Sequence, residues 1–311
     1  MEHGSMQFPR FRTQYDWQSV LERNAPQNFP RPKAGFFTNW VGVITDIELY
    51  SNRADYKTLS EHVFSKMPIP NDQHHVDADE YGSIFLAIEN RAETDKLVIV
   101  EVGAAWGPWI SAGAIIAKRI GIKKIDLVGV EAESVKFEYL RQHMAHNNLI
   151  NDKDISISLI FGAAWTSNEK VYFGADTNFT DYGAAATDQH GDSDYRGRQI
   201  NFAETQGYTL ETIIGDRAVV DYLAMDIQGS EYTVLKKSID ILNSRVRFIS
   251  VGTHSPAIHG NLIELFFNNR WQVIWDKYPV YDYDLGKPDL RAMTTIDGEL
   301  LLVNRNLVGN S

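Results

Sequence analysis

The sequence contains no cysteine among its 311 residues. Disulfides, thiolate zinc sites and thiol nucleophiles are therefore excluded, although this absence alone does not identify a compartment. Basic residues are also scarce. Thirty Lys and Arg against 41 Asp and Glu leave a net charge of −11. Neutralising nucleic-acid phosphates needs basic clusters, so no nucleic-acid partner is expected. No apolar run approaches the roughly 18 residues of a membrane span. The N-terminus lacks an apolar signal-peptide core, and a cytoplasmic location is the expectation. Residues 1–5 read as a cloning remnant before Met6 and are left out of the argument. The length suits one large α/β domain, or an ordinary domain with an extension, and a core of that size needs no covalent staple.

The chain is organised around Leu97-Val-Ile-Val-Glu-Val-Gly-Ala-Ala-Trp-Gly107. A continuous apolar run of this kind reads as a buried parallel strand. Gly103 and Gly107 allow a sharp turn and close approach of a ligand. The segment beginning at Pro108 reads as a helix, with proline in its first turn. Strand, glycine turn and helix start form a nucleotide-binding crevice. The turn lacks the Gly-x-Gly-x-x-Gly spacing that admits a pyrophosphate, since Ala105 stands where a middle glycine is usual. Glu101, two residues before Gly103, repels phosphate and welcomes an ammonium. These features point to S-adenosylmethionine, which carries an ammonium and a sulfonium and no phosphate. A second strand, Lys124–Val130, ends in Glu131, where an acid can accept both ribose hydroxyls. The cofactor set is therefore Glu101, Gly103, Ala104, Gly107, Glu131, Ala132 and Ala163. The alternative is an ordinary α/β turn with two surface acids.

Residues 1–80 read as a mostly helical N-terminal extension, broken by Pro26, Pro30 and Pro32, with a short helix from Tyr56 and a boundary at Met67-Pro-Ile-Pro70. This region is expected to cover the site, to take part in substrate access or to mediate homo-oligomerisation. A packing extension without site residues is an equal alternative. Asp77–Asn90 reads as a helix leading into the first strand. After Glu131 comes a helix from Ser134, then a third strand, Ile155–Phe161. No acid follows that strand, and the small residues Gly162 to Ala164 leave space for an adenine ring. Gly174–Tyr208 holds Asp176, Asp181, Asp188, Asp192 and Asp194 and reads as an irregular substrate lid or a plain flexible loop. Four more strands are expected at Val219–Asp226, Arg247–Val251, Trp271–Trp275 and Glu299–Val303. Seven strands with intervening helices make the class α/β.

Strand carboxyl ends of an open α/β sheet converge on one crevice, which brings Glu101, Glu131, Asp226 and His254 together. Asp226 and His254 are the expected catalytic pair. Methyl transfer to oxygen requires a positioned hydroxyl and a group to take its proton. A neutral His254, with an ordinary pKa of about 6.5, is the expected base, and the rate should rise with pH through its titration. Asp226 orients it, binds the hydroxyl, or holds a divalent cation with Glu231. Oxygen ligands suit magnesium or calcium rather than zinc. The structural alternatives are a locally bonded His254, an Asp226 that merely caps a helix and a Glu231 that supports the helix start.

Val98-Ile-Val-Glu-Val-Gly-Ala-Ala-Trp-Gly-Pro-Trp109, Asp226-Ile-Gln-Gly-Ser-Glu231, Gly252-Thr-His-Ser255 and Asp297-Gly-Glu-Leu300 together resemble the FkbM-type S-adenosylmethionine-dependent methyltransferases. The resemblance runs from about residue 80 onward, so residues 81–311 are expected to form the methyltransferase domain. It implies a Rossmann-like, seven-stranded class I methyltransferase sheet with an antiparallel last strand. It also implies O-methylation of a hydroxyl on a sugar, glycan or natural product. Ala104-Ala-Trp106 departs from the family's more glycine- or asparagine-rich turn. Two further readings compete: an NAD-dependent oxidoreductase, with Glu131 on the adenosine ribose, and a non-catalytic cofactor-binding partner protein.

Overall fold

The expected strand at Leu97 alternates between two buried faces. Leu97 and Ile99 enter one apolar cluster, and Val98, Val100 and Val102 enter another. A strand buried on both sides needs helices on both sides of its sheet. The computed structural model, which describes residues 16–66, 78–175 and 183–309, has this arrangement. The principal sheet has seven strands: β1 (Lys96–Val102), β2 (Lys124–Glu131), β3 (Ile155–Phe161), β4 (Val220–Met225), β5 (Val246–Thr253), β6 (Trp271–Lys277) and β7 (Gly298–Asn304). Their spatial order is β6-β7-β5-β4-β1-β2-β3. The neighbours from β5 to β3 pair in parallel, while β7 runs antiparallel to both β5 and β6. All seven expected strands are present, and the last is antiparallel as the resemblance implied. The helices Ala78–Glu89, Pro108–Arg119 and Ser134–His146 contribute to one cluster. The helices Leu210–Ile214, Glu231–Lys237 and Pro256–Asn268 contribute to the other.

The order of the sheet reverses between β1 and β4, and ligand crevices of open α/β sheets form at such a point. The backbone there is crowded. A Cβ on Gly103 would lie 1.8 Å from the Asp226 carbonyl oxygen, and Gly103 has φ +75°. Only glycine meets both conditions. Asp226 N–H donates to Val102 O at 3.0 Å, which closes the ends of the two strands together.

Two expectations need correction. Within residues 16–66 only Trp17–Arg23 is α-helical. The rest is built on an antiparallel ribbon, Phe36–Thr38 with Ile44–Asp46, and two 3-10 turns. The ribbon is too short to show an alternating pattern, so its sequence reads as loop. The expected break at Met67 to Pro70 lies outside the described residues. The helix Ala78–Glu89 crosses position 80 and buries Tyr81, Ile84 and Phe85, so its residues on both sides of that position belong to one element.

The irregularity expected of Gly174–Tyr208 holds only in part: both ends pair as strands, while residues 188–200 are irregular. Lys170–Ala175, Ala186–Thr187 and Asn201–Tyr208 pair antiparallel, and Ala163–Ala164 joins the long strand in parallel. Asp176 and Asp181 lie outside the described residues. Asp194 organises its own turn, accepting the backbone N–H of Arg196 at 2.9 Å and of Arg198 at 3.0 Å. Gly and Asp residues dominate the local sequence of this segment, whereas the pairing depends on partners from 13 to 44 residues away (Phe173 with Ala186, Ala163 with Gly207).

The extension is docked by specific contacts. Asn147 accepts the N–H of Ile44 at 2.8 Å and donates to its carbonyl at 2.9 Å, continuing the ribbon onto the helix Ser134–His146. Arg23 donates twice to Glu89, at 2.9 and 2.7 Å. Trp40 is 2% exposed and packs between Tyr81 and Phe85, with ring centroids 6.2 Å from each. Trp40→Ala is therefore expected to cost about 3–5 kcal/mol, the usual range for emptying a buried aromatic site. Urea denaturation followed by circular dichroism measures it, and a loss under 1 kcal/mol would show the extension to be loosely attached.

Candidate active site

The carboxyl ends of β1, β2 and β4 open into a cavity of about 490 Å³. That volume is typical of a small-molecule site. Its floor is the turn Gly103-Ala104-Ala105, and Glu131, Ala132, Ala163 and Asp226 form its sides. Of the residues expected to hold a cofactor, Gly103, Ala104, Glu131, Ala132 and Ala163 thus line one space. Gly107 and Glu101 stand behind it. Gly107 begins the helix Pro108–Arg119 in a left-handed conformation, where a Cβ would lie 2.5 Å from Leu140 Cδ1.

Glu101 does not line the cavity. It is 1% exposed, one carboxyl oxygen accepts the Ile110 N–H at 2.9 Å, and the other is buried with no hydrogen-bond partner. Burial pushes its carboxyl up to about 8, against the opposing effect of backbone N–H groups at the helix start. Its carboxyl is engaged with the helix start and lies outside the cavity wall, where the expected ammonium contact would be made. Its place is under the first turn of the helix, whose free N–H groups need acceptors.

Glu131 is also buried, at 5% exposure, but both of its oxygens are engaged. One accepts the Ala105 N–H at 2.7 Å and the other the Glu133 N–H at 2.8 Å. Burial raises this carboxyl despite those bonds and the attraction of Lys136. Each oxygen retains a second lone pair directed to other partners, so a ribose diol fits beside it. Gly162 has φ +154° and is pressed against Tyr208 and Gln206, which leaves Ala163 and Ala164 as the walls of the cavity beyond β3.

At the other end Asp226, Glu231 and His254 form a line. Nδ1 of His254 lies 2.8 Å from Glu231 Oε1, and Nε2 lies 3.1 Å from Asp226 Oδ1. These are ion-pair distances, with the N–H directions off the line of a good hydrogen bond. His254 is 3% exposed and Glu231 is wholly buried, while the Asp226 side chain is 39% exposed. Burial lowers the His254 pKa, but the two carboxylates outweigh it and hold the ring protonated, well above the ordinary histidine value. Burial likewise raises Asp226, but attraction to His254 and a bond from Gln228 leave its carboxyl below the ordinary range. Asp297 and Tyr195 also feel the His254 charge.

This geometry revises the expected roles. His254 is an imidazolium between two acids, not a neutral base, because both ring nitrogens face carboxylates. Asp226 does not cap the following helix, whose N-cap is Ser230. Glu231 gathers the turn around itself, accepting the N–H of Ile227 at 3.1 Å and of Gly229 at 3.0 Å. This wrapping holds Gln228 at φ +58°, where its Nε2 donates to Asp226 at 2.8 Å.

The extension was expected to cover the site, but sequence reasoning named none of the residues by which it does so: Phe37, Asn39, Thr45, Tyr50 and Glu80. Asn39-Trp-Val-Gly42 lies in the turn that joins the two strands of the ribbon. Its Asn39 side chain accepts the N–H groups of Gly42 and Val43 and shapes the ribbon turn. Lys136 and His143 also reach the cavity from the helix Ser134–His146. Burial pushes His143 down to about 3, so it is a neutral ring there.

The position of Glu101 makes a pH prediction. Its folded-state pKa is above the unfolded value, so between about pH 4.5 and 8 the folded form binds more protons and stability falls as pH rises. Glu101→Gln keeps an oxygen for the Ile110 N–H and removes this loss. The variant should match the wild type near pH 5 in thermal unfolding and exceed it near pH 9. A wild type that becomes more stable over that window would contradict the assignment.

The Methyltransferase FkbM domain model matches residues 101–272, over half of the chain. A "Putative methyltransferase" of Jannaschia sp. (strain CCS1) is 28% identical over 237 residues, 75% of this chain and 81% of that protein. Among solved structures, a precorrin-6y C5,15-methyltransferase from Geobacter metallireducens GS-15 aligns with TM-score 0.39 at 10% identity, covering 75% of this chain and 95% of that one. An FkbM methyltransferase from Methylobacillus flagellatus KT aligns with TM-score 0.37 at 14% identity, over 74% and 56%. With its glycine turn, its acid-ended strands and a match over most of the sheet, the chain belongs to the FkbM methyltransferase domain family and is an S-adenosylmethionine-dependent methyltransferase.

Proposed function

We propose that the chain methylates a hydroxyl oxygen of a sugar, glycan or other natural product, with Asp226 taking the proton. The observation that carries this reading is the Asp226 carboxylate. It is ionised, partly exposed and braced by Gln228 and His254, and it stands in the wall of the cofactor cavity. S-adenosylmethionine, when bound, supplies an electrophilic methyl group. The Gly103–Ala105 turn leaves room for its amino-acid end, and Glu131 receives its ribose. Asp226 orients the acceptor hydroxyl for in-line attack. The oxygen–carbon bond forms as the sulfur–carbon bond breaks, and the hydroxyl proton passes to Asp226. A weak base suffices, because an alcohol oxygen becomes strongly acidic as it gains the methyl group. His254 positions Asp226 and keeps it ionised, and Glu231 fixes His254. The net charge of −11 favours a small or glycan acceptor over nucleic acid.

A metal-assisted version has one supporting feature: Asp226, Glu231 and His254 have ligand atoms within 4.8 Å of one another. The fit is poor. The two carboxylates face opposite nitrogens of one ring, so a single ion would meet only one carboxylate beside the nitrogen it binds. The shared proton already supplies the compensating charge. Activity is therefore expected to survive exhaustive chelation with EDTA, and loss restored by magnesium would reinstate the ion.

The main test is incubation of glycan and natural-product extracts with enzyme and S-adenosylmethionine, read as a mass gain of one methylene group. Asp226→Asn should lose about 10²–10⁴ in rate, the usual worth of proton transfer by a positioned group, while calorimetry gives near wild-type cofactor affinity. The wild-type rate should be level from about pH 5 to 7, since Asp226 titrates below its ordinary range and His254 well above its own. A rate rising through pH 6.5 would return the base role to His254. Methylation found only on nitrogen or carbon would sink the O-methyltransferase reading.

A further inference from the structure

A second cavity, of about 110 Å³, lies against the first. Glu80, Trp109 and Asp226 belong to the walls of both. His254 lines only the smaller one. Asp226, the proposed proton acceptor, thus borders both spaces. We infer that the small cavity receives the uncharged, hydroxylated end of the acceptor and refuses carboxylate, phosphate and sulfate groups. The inference rests on the O-methyltransfer reading and adds the charge class of the substrate.

The argument is the composition of the wall. Glu80, Asp226, Asp297 and Glu299 face the space, against Lys277 and His254. Both cations have acids close by. Lys277 lies opposite Glu299 in the β6–β7 register, and His254 lies between Asp226 and Glu231. An entering anion would therefore meet an acidic excess without an uncommitted positive partner, in a space where charge is poorly screened. A hydroxyl, by contrast, donates to carboxylates and needs no counter-charge. Ser250, 4% exposed, floors the cavity and donates to Glu299 at 2.8 Å, holding that carboxylate in place. The Trp109 indole supplies an apolar surface of the kind on which the carbon face of a polyol rests. Glu80, Lys277, Asp297 and Glu299 all lie outside residues 101–272, the segment matched by the family model.

Because the chain has no cysteine, a single introduced thiol reports on this cavity directly. Ser250→Cys, confirmed as folded by circular dichroism, is treated with neutral methyl, cationic aminoethyl or anionic sulfonatoethyl methanethiosulfonate. Rates are normalised to a free thiol and taken with and without S-adenosylhomocysteine. The cationic reagent should react at least as fast as the neutral one, and the anionic reagent at least about tenfold more slowly than the neutral one. Glycerol at high concentration should slow labelling by the neutral reagent, while sodium lactate should not. Asp297→Cys, on the exposed rim, gives the same comparison if Ser250→Cys does not fold. An anionic reagent as fast as the neutral one, a thiol that no reagent reaches, or protection by lactate equal to that by glycerol would overturn the inference. Failure to bind S-adenosylhomocysteine, measured separately by calorimetry, would count against the cofactor reading instead.

Discussion

The contact between Gly103 and the Asp226 carbonyl governs the arrangement of the site. Strands β1 and β4 are neighbours although β2 and β3 come between them in the chain. At their carboxyl ends the two backbones meet where a side chain on residue 103 would collide with the carbonyl. That closeness makes the cofactor turn and the Asp226 turn one rigid unit. The glycine turn can shift only if Asp226 shifts too. A fixed distance between a methyl donor and a proton acceptor is what an in-line transfer requires.

Around this junction, acids of the same type meet different fates, because burial and partners differ. Glu101 is buried with one oxygen unpartnered and becomes neutral. Glu131 is buried with backbone N–H groups on both oxygens and keeps its acceptor capacity. Glu231 and Asp226 share one imidazolium, which leaves the more exposed acid ionised at the cavity wall. A buried charge without a partner is costly. The site disposes of that cost by neutralising one carboxyl and pairing the others. The more exposed of the two carboxylates that flank His254, Asp226, borders the cavity and is the one the proposed mechanism uses.

The N-terminal extension completes the enclosure. Its ribbon is held by Trp40 against the helix Ala78–Glu89 and by Asn147 against the helix Ser134–His146. It thereby brings Phe37, Asn39 and Tyr50 to the cofactor cavity. Tyr50 in turn packs edge-on against Trp106 of the cofactor turn, with centroids 5.8 Å apart. Glu80, in the first turn of the helix Ala78–Glu89, lines both cavities. The extension is therefore part of the site's wall, and its stability and the shape of the cavities depend on the same contacts.

The sequence by itself determined the sheet, the glycine turn and which strand ends carry acids. Those features are local: apolar runs, glycines and turn residues impose them within a few positions. It also sufficed to bring Gly103, Ala104, Glu131 and Asp226 to one crevice, because strand ends in such a sheet converge. Only the tertiary structure decided what each acid does. The proton on His254 depends on Glu231 and Asp226 approaching from both sides, and the neutrality of Glu101 depends on a burial that outweighs the backbone N–H groups of the helix start. The ribbon Phe36–Asp46 was equally illegible because its strands are too short to show a pattern, and the pairing of Lys170–Ala175 with Asn201–Tyr208 because its partners are distant in the chain. Residue type and spacing record which groups can ionise. Burial and the partners supplied by other elements settle which of them do.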